Sequence, residues 1–252
     1  MYNEEDLSLL DDEDSLESPL DHMAAVDDPA VEAAKPDVEE MLQLLSSTDT
    51  TQRMIAARAF CELQDSRAIP PLIQLLSDAC PLLRVSAAYA LGRNPSDDAV
   101  LPLIQQFNQD WNGYVRKGVV WALGNCRDSR VLEPLIDALQ NDISAVRLWA
   151  ASSLGQLADI SPDVTTAAIP PLIHTLQSES MAPVRSNAVW ALGQLSQALQ
   201  TGEVYKRALD AMIKALSDED LGVQEDAKNA LLKLSDPKGL LAVEELESLG
   251  SL

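Results

Sequence analysis

One ten-residue pattern, Val-Arg-x-x-Ala-x-x-Ala-Leu-Gly, recurs along the chain and restricts its possible folds more than any other feature. It stands as Leu83-Arg84…Ala90-Leu91-Gly92, Val115-Arg116…Ala122-Leu123-Gly124, Val146-Arg147…Leu154-Gly155 and Val184-Arg185…Ala191-Leu192-Gly193. Weaker copies are Gln52-Arg53…Ala59-Phe60-Cys61 and Val223-Gln224…Ala230-Leu231-Leu232. The arginine column advances by 31, 32, 31 and 38 residues, and 39 more reach Gln224. A second pattern precedes it: Pro71-Leu72-Ile73, Pro102-Leu103-Ile104, Pro134-Leu135-Ile136 and Pro171-Leu172-Ile173, with looser forms at Glu40-Met41-Leu42 and Ala211-Met212-Ile213. Polar turns with Asp49, Asp78, Asp110, Asp142 or Asp218 join the halves. Counting the Val as position zero, apolar residues fall at 0, +4, +7 and +8, one stripe of a helix with 3.6 residues per turn. Such helix pairs cannot bury their apolar faces singly and must stack on their neighbours. The expected fold is all-α: a right-handed α-α superhelix of about six helix pairs over residues 37–252. An extra helix from Leu240 to Leu249 would close it, with Glu244, Glu245 and Glu247 on a polar cap.

Each motif position carries an expectation. Ala at +4 and +7 lets neighbouring helices approach closely. Gly at +9 is expected to end its helix, where a left-handed residue costs least. Pro early in the first helix falls where a missing N–H is tolerated. The Asp-to-Arg spacing suggests turn carboxylates facing guanidinium groups in a ladder along the stack, which makes these arginines structural.

The formal charge of −22 is uneven. Residues 1–40 hold 15 of the 40 acidic residues and, in Lys35, one of the 18 basic ones. That field repels phosphate backbones and argues against nucleic acid as a partner. Residues 1–36 lack helical periodicity and read as an acidic, disordered tail in which Leu7, Leu9, Leu10, Leu16 and Leu20 alternate with acids. The tail is either a solubilising segment or a docking or self-masking one, in which residues 4–20 lie over the basic and aromatic concave side until a partner displaces them. No run of apolar residues is long enough to cross a membrane, and the acidic start is unlike a secretory signal. A cytoplasmic protein is expected, and three cysteines (Cys61, Cys80, Cys126) fit a reducing compartment.

Catalytic apparatus is not visible. Histidine occurs only as His22, in the tail, and His174, read as a surface or packing residue. The cysteines lack a C-x-x-C spacing, and Cys80 and Cys126 are expected near opposite edges of the stack, too far apart to share a metal. There is no G-x-S-x-G elbow or glycine-rich phosphate loop. No catalytic residue, cofactor or metal is assigned. Cys126, beside Arg127, is the candidate for a reactive thiol, against the plainer reading of an inert turn cysteine.

The working surface is sought on the second helices. Position +6, about 240° round from the Val, reads Arg58, Tyr89, Trp121, Ser152, Trp190 and Asn229; position +2 reads Met54, Val85, Lys117, Leu148, Ser186 and Glu225. These columns predict a concave groove holding Tyr89, Trp121 and Trp190, flanked by Arg58 and Lys117, with Leu148 and Trp149 beside them. Exposed Trp, Tyr and Arg are frequent interface anchors. The competing reading has the rings merely packed on neighbouring helices.

The two half-motifs over residues 38–236 resemble HEAT repeats of the type found in phycobilisome lyases. The acidic Leu-bearing head, together with the run from Asp110 through Trp111, Tyr114, Arg116 and Trp121 to Asp128, is also similar to a cyanobacterial HEAT-repeat protein that partners an A-type iron–sulfur carrier. The first resemblance implies a solenoid. The second implies a non-catalytic scaffold or adaptor that regulates or assists such a carrier. Relatives also include subunits of heterodimeric bilin lyases or isomerases and chaperones of phycobilisome assembly or degradation, which stay open as alternatives. Deoxyhypusine hydroxylase, a HEAT-repeat enzyme, holds its irons with paired His-Glu motifs, and this chain contains no His-Glu dipeptide.

Overall fold

The computed structural model describes residues 36–199 and 201–248; the acidic segment 1–35, with the docking or solubilising role read there, and Leu249 lie outside the described residues. Thirteen α-helices are present among them, with no strand. They fall into two compact units that divide after Cys126. The first holds α1 (Val38–Leu44), α2 (Thr50–Ala59), α3 (Ile69–Leu75), α4 (Pro81–Arg93), α5 (Asp97–Gln109) and α6 (Gly113–Cys126). The second holds α7 (Leu132–Asn141), α8 (Ser144–Gly155), α9 (Pro162–Ser178), α10 (Ala182–Leu199), α11 (Glu203–Ala215), α12 (Leu221–Leu234) and the closing helix α13 (Pro237–Ser248). Short 3-10 turns, Ser66–Ala68 and Ser129–Val131, lead into α3 and α7.

Helix starts are written in the turns. Asp37, Asp49, Ser96, Ser161 and Asp220 each accept a backbone N–H in the first turn of α1, α2, α5, α9 and α12, and Asn112 does so for Tyr114 and Val115 at 3.0 and 3.2 Å. Each cap satisfies a donor that the helix cannot, a contribution of about 1 kcal/mol. Even-numbered helices from α2 to α12 are the second members of their pairs. Within each unit they pack on one another more closely than the first helices do. Small side chains allow this: Ala87, Ala88, Ala90 and Ala122 are fully buried.

Two motif positions behave otherwise than expected. The +9 glycines do not end helices in a left-handed conformation: Gly92 and Gly193 lie inside α4 and α10, and Gly202 is the only positive-φ glycine among the described residues. Their role is close approach. A Cβ on Gly92 would fall 2.4 Å from Cζ3 of Trp121 and 3.0 Å from Cα of Ala122; one on Gly155 would fall 2.6 Å from Cζ3 of Trp190 and 2.9 Å from Cα of Ala191. The glycine of one second helix is thus the seat for the +6 indole of the next. The true stops include Ser235, left-handed after α12 (φ 55°), and Asn94 after α4. The prolines divide: Pro70 and Pro71 stand in the first turn of α3, whereas Pro102 and Pro170–Pro171 are interior to α5 and α9, because those helices begin earlier, at the Ser96 and Ser161 caps.

The arginine ladder has a definite direction. The guanidinium of one repeat reaches the turn acid of the following repeat: Arg53 to Asp78 (2.9 Å), Arg84 to Asp110 (2.7 and 2.9 Å), Arg147 to Glu179 (2.7 and 3.0 Å) and Arg185 to Asp218 (3.0 and 2.6 Å). The same arginines donate to carbonyls of their own turns, Arg84 to Asp78 and Ala79 and Arg185 to Glu179 and Ser180. Each acid in turn accepts a backbone N–H two residues on, as Asp110 does from Asn112 at 2.9 Å. A single side chain therefore holds its own turn and the next one in register, with charge-assisted, mostly bidentate bonds. Burial pushes the Glu179 and Asp218 carboxyls up, but Arg147 and Arg185 hold both below the usual carboxylate range.

Candidate docking face

The second helices of the first unit have an unusual charge content. In a chain of net charge −22, α2, α4 and α6 carry Arg53, Arg58, Arg84, Arg93, Arg116 and Lys117 and no Asp or Glu. Arg53 and Arg84 belong to the ladder, and Arg116 donates to the carbonyls of Asp110 and Trp111 at 3.0 Å. Lys117 is only 1% exposed; position +2 turns into the packing between helices here, as Met54 and Val85 also show by their burial. Lys117 is thus removed from the expected groove wall.

Arg58 and Arg93 remain, in the last turns of α2 and α4, where the helix C-terminus favours a cation. Neither forms an ion pair among the described residues. The Arg93 guanidinium carbon lies 5.6 Å from the centroid of the Trp121 ring, a cation–π distance. Tyr89 and Trp121 meet with centroids 5.2 Å apart at 45°. Arg58 is half-buried, and its Nε has no hydrogen-bond partner. Asn94 fixes this corner: its amide donates to the carbonyls of Phe60, Leu63 and Ala90, and its oxygen accepts from Asp65 N. Cys61 feels the charge of both arginines, and burial pushes its thiol up to about 11 against the lowering pull of Arg93 and Arg58.

The second unit presents a different face. Trp190 is 42% exposed, its edge over Gly155. Ser186 donates to Asp226, and Glu225 and Asn229 are exposed nearby on α12. Leu148 and Trp149 are half-buried, and the Leu148 carbonyl accepts from Asn187 at 3.0 Å. Of the expected docking residues, Arg58, Tyr89 and Trp121 therefore gather in the first unit, while Leu148, Trp149 and Trp190 belong to the second. The rings do both things weighed above: each lies on a neighbouring helix and keeps an edge towards solvent. Arg93 was missed by the column argument because it stands at +10; the signal available was a last-turn base on a helix without acids.

Chemistry elsewhere is sparse. His174 is exposed on α9, and Cys126, the last residue of α6, is half-buried; all three cysteines are free. Among the described residues no group of three His, Cys, Asp or Glu side chains is placed to hold a metal, and no helix is long and apolar enough to cross a membrane.

Comparison with known proteins agrees with this architecture. No curated protein matches the chain. Among solved structures, the complex of CpcE and CpcF of phycocyanin lyase from Nostoc sp. PCC7120 superimposes with a TM-score of 0.61 at 23% identity, over 87% of this chain and 85% of that one. A designed armadillo repeat protein in complex with the peptide (KR)4 gives 0.60 at 22% identity, over 79% of this chain and 100% of that one. At such identities the likeness speaks to fold. The PBS lyase HEAT-like repeat matches residues 184–218. HEAT repeats match residues 38–103 and 100–193, well over half of the sequence, and the chain belongs to the HEAT-repeat family.

Proposed function

We propose that the chain is a non-catalytic protein-binding scaffold that docks its partner on the second-helix faces, chiefly the Arg58–Tyr89–Arg93–Trp121 face. The observation that carries this is two guanidinium groups without carboxylate partners among the described residues, Arg93 over the Trp121 ring, beside the tilted Tyr89–Trp121 pair on helices that lack acids. Arginine beside partly exposed Tyr and Trp is the composition of an interface anchor. Its positive charge suits an acidic segment, and the net charge of −22 on the whole chain argues against a nucleic acid. Trp190 offers a second anchor on the other unit.

The partner we propose is an A-type iron–sulfur carrier, supported by the whole-chain resemblance described above; the scaffold would hold or regulate the carrier and contribute no catalytic group. The test is calorimetric titration of the full chain with a purified A-type carrier. Arg93→Glu should weaken binding by at least about tenfold, the loss of one buried charge-assisted contact, with helicity unchanged. No heat of binding would overturn the carrier, and equal affinity of the variant would overturn the face.

A second reading is favoured by one observation, the match of a PBS lyase HEAT-like repeat to the segment bearing Trp190. Here the chain is one subunit of a bilin lyase or isomerase, or a phycobilisome chaperone, and the indoles stack on a tetrapyrrole. Addition of phycocyanobilin to the full chain would then red-shift the pigment absorbance, with the shift lost in Trp190→Ala. An unchanged spectrum counts against it.

A further inference from the structure

The cationic corner of the first unit has a candidate occupant in the same polypeptide. We propose that the acidic, leucine-bearing segment Glu4–Leu20 docks on the Arg58–Tyr89–Arg93–Trp121 face and must leave before a partner binds there. The inference rests on the docking reading of that face and names what covers it in the free protein.

Three observations favour this occupant over a second copy or a foreign peptide. Charge is complementary: residues 1–35 carry 12 acids and one base, whereas the face offers Arg58 and Arg93, which form no ion pair among the described residues, on helices that contain no acid. Attachment is local: the segment joins the described chain at Pro36, just before α1, and α1 packs on α2, the first helix of the face. Reach is ample: the 16 residues between Leu20 and Asp37 extend to at most about 50 Å at roughly 3.3 Å each, while two helix-to-helix steps of about 10 Å separate α2 from α6. A tether of this length presents its own ligand at an effective concentration in the millimolar range, so weak carboxylate–guanidinium and leucine–indole contacts suffice to hold the segment on the face until a tighter-binding partner displaces it. Leu7, Leu9 and Leu10, set between Glu4–Asp6 and Asp11–Asp14, provide aliphatic groups for the exposed ring edges with carboxylates on either side for Arg58 and Arg93.

The test uses the full chain with a photo-crosslinking amino acid in place of Leu9, irradiated at about 50 mM and about 500 mM salt, across which screening of exposed charges becomes severe. Cross-links within one chain to the peptides bearing Arg58, Tyr89–Arg93 or Trp121 are expected. Their yield should fall at least about fivefold at high salt and in Arg93→Glu, at unchanged helicity. Replacing Glu4, Glu5 and Asp6 by Lys in the Arg93→Glu chain should restore part of the yield. Cross-links to α1, α3, α5 or the second unit, cross-links only between two copies, or a yield indifferent to salt and to Arg93 would each overturn the proposal. If Arg93→Glu weakens carrier binding while Leu9 cross-links elsewhere, the tail assignment fails and the docking face stands. If the cross-links form as expected but carrier binding ignores Arg93, the docking reading fails instead.

Discussion

Replacing Gly92 by Ala is the sharpest probe of how the second helices are stacked. Gly92 lies inside α4, so the substitution brings a helix-propensity gain of about 0.8–1 kcal/mol. Against it, the new methyl would lie 2.4 and 2.8 Å from two atoms of the Trp121 ring and 3.0 Å from Cα of Ala122. The ring is confined by Tyr89 and Arg93, and the Ala122 backbone cannot yield without moving α6. Overpacking costs about 1–3 kcal/mol; with contacts under 3.0 Å the cost falls in the upper part of that range, about 2–3 kcal/mol, which leaves a net loss of about 1–2 kcal/mol. Gly118, inside α6, supplies the control: its methyl would meet Tyr89 and Ala88 at 3.5–3.7 Å, ordinary contact. Gly118→Ala should therefore gain about 1 kcal/mol from propensity and burial together. Urea unfolding followed by circular dichroism should move the two midpoints in opposite directions, by a combined 2–3 kcal/mol or so. Shifts of the same sign would refute the argument, as would an undiminished cost of Gly92→Ala in a Trp121→Ala background, where most of the clash is removed.

Three further outcomes are expected. Arg84→Ala should be the most damaging ladder substitution, about 3–5 kcal/mol, because it strands an Asp110 side chain only 1% exposed; Arg53→Ala, whose pair is 18% and 15% exposed, should cost about 1 kcal/mol, and equal losses by urea titration would contradict the ranking. The lowered Glu179 and Asp218 carboxyls stabilise the fold at neutral pH, and that contribution should drain away as pH falls below about 4 towards their folded values; a stability profile unchanged by Glu179→Gln between pH 3 and 5, roughly, would deny it. Among the three free thiols, Cys61, pushed up to about 11, should react last with an aromatic disulfide at about pH 8, and a fast Cys61 located by peptide mapping would be inconsistent.

Much of this molecule was readable from repetition alone. The Pro-Leu-Ile and Val-Arg patterns placed the paired helices and the ladder arginines, and the amphipathic run from Leu240 placed a closing helix, since period and spacing are local properties. The glycine at +9 was misread because its reason is not local: it is set by a residue of the next second helix, Trp121 for Gly92 and Trp190 for Gly155. Lys117 was misassigned for a related cause, as rotation about one helix does not say whether a neighbour covers that side. Glu179, the third of the four ladder acids, escaped the Asp pattern because Glu does the same work there. Arg93 became visible as a site residue only with Trp121 beneath it.

The central claim is that the acid-free second helices of the first unit dock another protein through Arg93 and its aromatic neighbours. Its most direct test is quantitative affinity capture by the full chain, comparing Arg93→Glu with Arg207→Glu, the reversal of an exposed arginine on α11. Bound protein should fall at least about tenfold, the loss of about 1.4 kcal/mol or more, for Arg93→Glu and stay near the unaltered level for Arg207→Glu. Equal capture by both variants, at equal helicity, would contradict it.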